Sequence, residues 1–288
     1  MLRLTQRAMV TCSTALLVGA LACLSACKGD AAPNTLAPTA EQLAVPKSKS
    51  AQALSFAVKK EGSKLVFSMD APIEKITGNL KDATTGEVKL DLTDITKTTA
   101  LITADLNALV LTQRKKASAG DAEYGEETKQ DKQNEHARGW LEIDEQNPSH
   151  ETHRRVQLTV TSVTTQTPDV TKLTGDERKV KATVSGEFLL HGRKAAKTVD
   201  VEVTFSFKDG APTAIRVQSM KPFLVRLEEH DVKPRDAVGK LAATLLSSLS
   251  DKVAKDAEVS IDFTAGIDVS AAKPSPSNPS PSSSAKRY

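Results

Sequence analysis

The chain has 288 residues, of which 39% are hydrophobic and 26% charged, with a formal charge of +3. This is ordinary for a globular protein of one large or two small domains. Arg3 and Arg7 near the N-terminus supply most of the excess, so nothing marks a nucleic-acid surface. Aromatic residues make up only 3% of the total, so an interior must be built from Val, Leu, Ile and Ala rather than around an aromatic cage.

In chain order, residues 1–7 form a short basic region and Ala15–Leu24 an apolar run, and Leu24-Ser25-Ala26-Cys27 ends it with small residues at a cleavage site. This arrangement resembles the lipobox of bacterial lipoproteins. The resemblance implies a signal peptide over residues 1–26, diacylglycerol on the Cys27 thiol, and acylation of the new amine. The uncharged stretch 8–27 is about long enough to span a bilayer, but its strongly apolar part is too short for an uncleaved helix. Two or three acyl chains attach a protein almost permanently, where one holds it only marginally. Cys12 and Cys23 fall within the leader, so the mature chain keeps one cysteine and no internal disulfide; its stability must come from its core. By likeness to sorted lipoproteins, Lys28 after the cysteine points to the outer membrane, with the domain facing the periplasm.

Residues 27–50, rich in Ala, Pro, Thr, Ser and Lys, read as a flexible tether. Strand-like segments follow over 52–60, 63–70, 73–81, 86–94, 98–111, 152–164, 178–190, 197–208, 213–221 and 257–265, separated mostly by Gly, Asp, Asn or Lys-rich turns. The sharpest places Val199, Val201, Val203, Phe205 and Phe207 on one face against Asp200, Glu202 and Thr204 on the other. The preceding strand alternates likewise through Val180, Ala182, Val184, Gly186 and Phe188, which predicts a long hairpin turning at Gly192-Arg193. The charged stretch 113–139 reads as an excursion ending in a helical turn before Trp140. Asp236–Lys255, with Val238, Leu241, Leu245, Leu246, Leu249 and Val253 at helical spacing, predicts an amphipathic helix packed on the domain. Residues 268–288, rich in Pro and Ser, cannot bury a core and read as a disordered tail. The pattern therefore predicts an all-β antiparallel domain over 51–267, with one added helix and flexible termini.

Three stretches, Leu106–Lys115, Asn134–Pro148 and Lys179–Phe207, are similar to the YceI-like family. The best match is VKATVSGEFLLHGRKAAKTVDVEVTF, in which Gly186, His191 and Gly192 occupy the family's signature places. His136 and Trp140 match a second family segment, whereas its Arg-Asp pair and second aromatic are missing; Leu141 stands in for the latter. The resemblance spans residues 51–267 and implies a divergent, lipocalin-like barrel that binds polyisoprenoid. Such a barrel can hold one small ligand or only its own side chains, and the residues leave both open. If hollow, its apolar wall should include Val184, Phe188, Val201, Val203 and Phe205, with His136 and Trp140 as polar and aromatic contacts.

No nucleophile elbow, phosphate-cradling Gly loop or His-Glu-x-x-His helix occurs, and the carboxylates are scattered among basic residues, so no enzyme and no cofactor is expected. Five histidines are present, and His150-x-x-His153 is the close pair. On a strand, positions three apart face opposite ways, and no Cys or third nearby His completes a set, so no metal site is expected. His191 should order its hairpin turn, and His230, within Glu228-Glu229-His230-Asp231, should sit in a solvated charge cluster. The expected partners are an isoprenoid-like lipid in the barrel and a membrane reached through the acyl chains. The competing reading is a non-catalytic structural lipoprotein with a solid core.

Overall fold

The computed structural model describes residues 36–71, 73–118, 120–233 and 255–267. The leader with Cys27, the tail after 267 and, except for Lys255, the helix expected over 236–255 lie outside the described residues. Among the described residues, thirteen strands form one antiparallel sheet: β1 (Leu54–Val58), β2 (Lys64–Ala71), β3 (Glu74–Lys81), β4 (Thr84–Leu90), β5 (Thr99–Asp105), β6 (Val110–Lys115), β7 (Arg155–Val160), β8 (Ser162–Thr165), β9 (Glu177–Leu190), β10 (Arg193–Lys208), β11 (Ala211–Ser219), β12 (Phe223–Arg226) and β13 (Asp256–Ile267). The path β1-β4-β5-β7-β9-β10-β11-β13 returns to β1 through Phe56↔Ile267, Ala57↔Gly266 and Val58↔Ala265, closing an eight-stranded barrel. Closure removes the exposed edges that an open sheet would offer for aggregation.

β13 is longer than the barrel needs. Its C-terminal part pairs with β1 and β11, while Glu258–Asp262 pairs with β2, which leads to β3 and then β6. The barrel thus carries a three-stranded extension, with β12 on the other side of β13. The segment 98–111, expected as one strand, is divided by a 3-10 turn at Leu106–Ala108. There the Asp105 carboxylate accepts from the Asn107 N–H at 3.0 Å. This break transfers the chain from the barrel, where β5 pairs with β7, to the extension, where β6 pairs with β3. The short strand β12 was not expected from the sequence.

β9 and β10 form the longest hairpin, in register from Arg193↔Leu190 to Ser206↔Glu177. Its turn is His191-Gly192, one residue earlier than the sequence suggests. Both turn residues have positive φ, 50° and 66°, as a two-residue turn matched to the sheet twist requires. Val199, Val201 and Phe205 point inward with at most 2% exposure, while Asp200 on the outer face accepts from the Thr183 hydroxyl at 2.8 Å.

Gly186 on β9 lies beside the place where the neighbouring chain passes from β7 to β8. A Cβ there would lie 1.9 Å from the carbonyl oxygen of Thr159, a backbone atom that cannot swing away. A bulge between the β7 and β8 pairings with β9, rather than a turn, explains this glycine. Gly186→Ala is expected to lower stability by about 2–3 kcal/mol, within the range for overpacking. A urea midpoint equal to wild type would refute this account.

Residues 36–50, expected as part of a flexible tether, lie instead along the barrel. The Ala40 N–H donates to Gly192 O and Lys194 N–H to Pro38 O, at 2.8 and 2.9 Å. Leu43 is buried, and its N–H donates to the Gln157 side chain at 2.7 Å. Polar composition hid these contacts because they are mostly made by backbone groups, to which sequence periodicity is blind.

Candidate functional site: two apolar cavities

Two apolar cavities stand out among the described residues. The smaller, about 90 Å³, lies inside the barrel and is lined by Val184, Phe188, Val201, Val203 and Phe205 together with residues such as Val88, Ile102, Leu158 and Ile215. All five wall residues proposed from the alternating pattern therefore face this space. Ligand pockets run to roughly 300–1,000 Å³, so the barrel proper is close to a packed core.

The larger cavity, about 560 Å³, opens between the extension and one end of the barrel. Phe67, Met69 and Ile76 come from the extension strands β2 and β3, Leu106 and Leu109 from the break after β5, and Leu190, Val225 and Val259 from the barrel and β12. Leu65, Val156 and Phe188 line both cavities, so the two share a wall. Little of the larger wall was foreseen, because its residues lie on strands whose alternation is short and interrupted.

The remaining wall is helix α1 (Asp131–Leu141), which replaces the single helical turn expected before Trp140. Gln133, His136, Ala137, Trp140 and Leu141 all face the cavity, at the i, i+3, i+4, i+7 and i+8 spacing of one helix face. His136 and Trp140 thus both line the larger cavity, with His136 exposed at its rim and Trp140 half-buried. Asn134 fixes the helix. Its side-chain oxygen accepts from Leu111 N–H at 2.7 Å and its amide donates to Leu111 O at 3.0 Å, completing the edge of β6 much as another strand would. Arg138 donates to Asn107 O at 3.0 Å.

The polar part of the lining is grouped. Glu74 and Lys115 are register partners across β3 and β6, and Gln133 donates to Glu74 at 3.1 Å, with Gln113 and Lys132 also in the wall. The cavity is therefore amphiphilic, with a hydrocarbon interior and a charged, hydrogen-bonding margin.

The histidines depart from their sequence reading. His230 is fully buried rather than solvated. Its Nδ1 donates to Arg193 O at 2.9 Å, its ring meets Phe188 edge-on at 5.6 Å, and burial pushes its pKa below the ordinary histidine value. His150 and His153 lie on the one-turn helix α2 (His150–His153), not on a strand, and His150 Nδ1 is 2.8 Å from Ile143 O. His153 and His191 approach one another with ring centroids 4.0 Å apart, beside Glu142, the left-handed residue that ends α1. At Gly192 a Cβ would come within 3.2 Å of His153 Nε2, so the turn glycine leaves room for this contact.

These features define a closed antiparallel barrel with an apolar cavity of ligand size walled by a helix. No protein-family model and no curated protein matches the chain. Among solved structures it is similar to a polyisoprenoid-binding domain from Saccharophagus degradans implicated in plant cell wall breakdown, at 17% identity over 75% of this chain and 99% of that one, with a TM-score of 0.42. It is also similar to BcnA of Burkholderia cenocepacia, at 15% identity over 72% and 98% of the two chains and a TM-score of 0.42. A third is a mutant CJ YceI protein carrying a monobromobimane guest, at 12% identity over 66% and 84% with a TM-score of 0.37. The assignment of the fold rests on the strand pairing and barrel closure described above.

Proposed function

We propose that the protein is a membrane-tethered envelope lipoprotein whose barrel binds or carries an apolar, isoprenoid-like lipid, and that it is not an enzyme. The observation that carries this reading is the 560 Å³ cavity, whose apolar depth suits a hydrocarbon chain and whose Glu74, Lys115 and Gln133 margin suits a polar head. The resemblance of Lys179–Phe207 to YceI-like hairpins favours an isoprenoid over other lipids. The lipobox-like Leu24–Cys27 supports acylation of Cys27 and attachment to the outer membrane on its periplasmic side. Of the five wall residues expected from the sequence, Phe188 would touch a ligand in the larger cavity, whereas Val184, Val201, Val203 and Phe205 line only the small barrel cavity behind it.

One preparation tests both parts. The wild-type chain should be recovered from washed envelope membranes with about one extractable lipid per protein by native mass spectrometry. Cys27→Ser should leave the membrane fraction and remain folded. Recovery of lipid-free wild type that also fails to bind a fluorescent isoprenoid would replace the carrier with a structural lipoprotein. Retention of Cys27→Ser in washed membranes would remove the acyl anchor from the proposal.

A further inference from the structure

Glu142, His153 and His191 come from three different elements: the end of α1, the end of α2 and the β9–β10 turn. One carboxylate oxygen of Glu142 lies 3.0 Å from His191 Nε2 and 3.3 Å from His153 Nδ1. One donor atom from each residue falls within 4.8 Å of the other two. The side chains are mostly withdrawn from solvent, at 26% exposure for Glu142, 13% for His153 and 3% for His191.

The hydrogen bonding of His191 decides what this cluster can hold. Its Nδ1 is 3.0 Å from the carbonyl oxygen of His230, and a carbonyl can only accept, so Nδ1 carries the hydrogen. In the neutral ring, Nε2 then presents a lone pair towards a carboxylate oxygen, which is also an acceptor. Two acceptors 3.0 Å apart require either a shared proton, carried by the ring or by the carboxyl, or a metal ion between them. A backbone carbonyl on the far nitrogen is the usual outer support of a metal-bound histidine, since it fixes both tautomer and ring orientation.

We propose that Glu142, His153 and His191 bind a divalent transition metal of the zinc class. Bond lengths near 2.0–2.1 Å in a tetrahedral zinc site put neighbouring donors about 3.3–3.4 Å apart, close to the two separations from Glu142. Imidazole donors suit zinc and its neighbours and do not suit Mg²⁺ or Ca²⁺, which take oxygen ligands. Three protein donors leave one tetrahedral position for water. His150 is not a donor, because its free-edge nitrogen Nε2 lies towards Glu151, at 3.9 Å, and not among the converging atoms of the cluster. The metal acts as a clamp. Glu142 directly follows Trp140 and Leu141, and His191 directly follows Leu190, all of which line the larger cavity, so the ion fastens the helical wall to the barrel.

The purified full chain, stripped with a chelator and dialysed, should bind one Zn²⁺ by calorimetry and melt several degrees higher in its presence. Co²⁺ should give the intense visible absorption of a tetrahedral site, and excess Mg²⁺ should not displace it. Glu142→Gln, which retains the shape of the side chain, and His153→Asn should each weaken Zn²⁺ binding at least tenfold, whereas His150→Ala should leave it unchanged. Absence of stoichiometric binding to the folded wild type would overturn the site and identify the cluster as an imidazolium–carboxylate pair. Equal affinity in wild type, Glu142→Gln and His153→Asn would place the metal elsewhere and equally overturn it.

Discussion

Ala137→Trp is expected to leave the barrel folded, with a melting temperature within a few degrees of wild type, and to reduce uptake of a fluorescent long-chain isoprenoid at least tenfold. Ala137 lies on α1 between His136 and Trp140, on the face that walls the larger cavity. Its side chain packs against the margin of the core where it lines the cavity, so an indole there can extend into the void. The loss of helix propensity from Ala to Trp is under about 0.7 kcal/mol. Filling a void can even stabilise the fold. A ligand excluded from part of its cavity must leave hydrocarbon in water at about 25 cal/mol per Å², so roughly 60 Å² of lost contact already corresponds to tenfold weaker binding. A folded Ala137→Trp chain with wild-type uptake would show that the lipid does not occupy this cavity.

How far the sequence disclosed this arrangement depended on regularity. β9 and β10 have long uninterrupted alternation, and the inward set Val199, Val201 and Phe205 could be read directly, as could the antiparallel pairing. The closure of the barrel could not, because β1–β13 pairing joins segments about two hundred residues apart and only three register pairs carry it. The larger cavity was hidden for a related reason. Its walls come from short pieces of β2, β3, β6 and β12 and from a helix whose apolar residues are few among charges. Gln133, His136, Ala137, Trp140 and Leu141 do share one helical face, and that spacing was the available signal for the cavity wall. The Glu142–His153–His191 cluster left no local trace, since His150-x-x-His153 is the visible pair and only His153 of it faces the cluster.

Val201→Asp should be the most damaging single change in the barrel, costing several kcal/mol against a total stability of about 5–15 kcal/mol and preventing cooperative folding at neutral pH. Val201 has no exposed surface and lies in the wall of the 90 Å³ cavity, opposite Ala182 on β9 and Ser219 on β11. Neither register neighbour offers a cation, and the cavity is too small to give a carboxylate the water it would have in solution. Burial would raise the pKa of the new carboxyl above its unfolded value near 3.9. The ionic part of the cost is therefore full above the raised folded value and shrinks as pH falls through it. Val201→Asp should recover part of its stability between pH 8 and pH 4, while Val201→Asn, which loses apolar packing without adding a charge, should show no such additional recovery relative to wild type. Urea titrations at the two pH values separate the variants. A cooperative Val201→Asp transition at the wild-type midpoint and pH 8 would mean that water reaches the barrel interior, and the smaller cavity would then have to be treated as part of the ligand channel rather than as core.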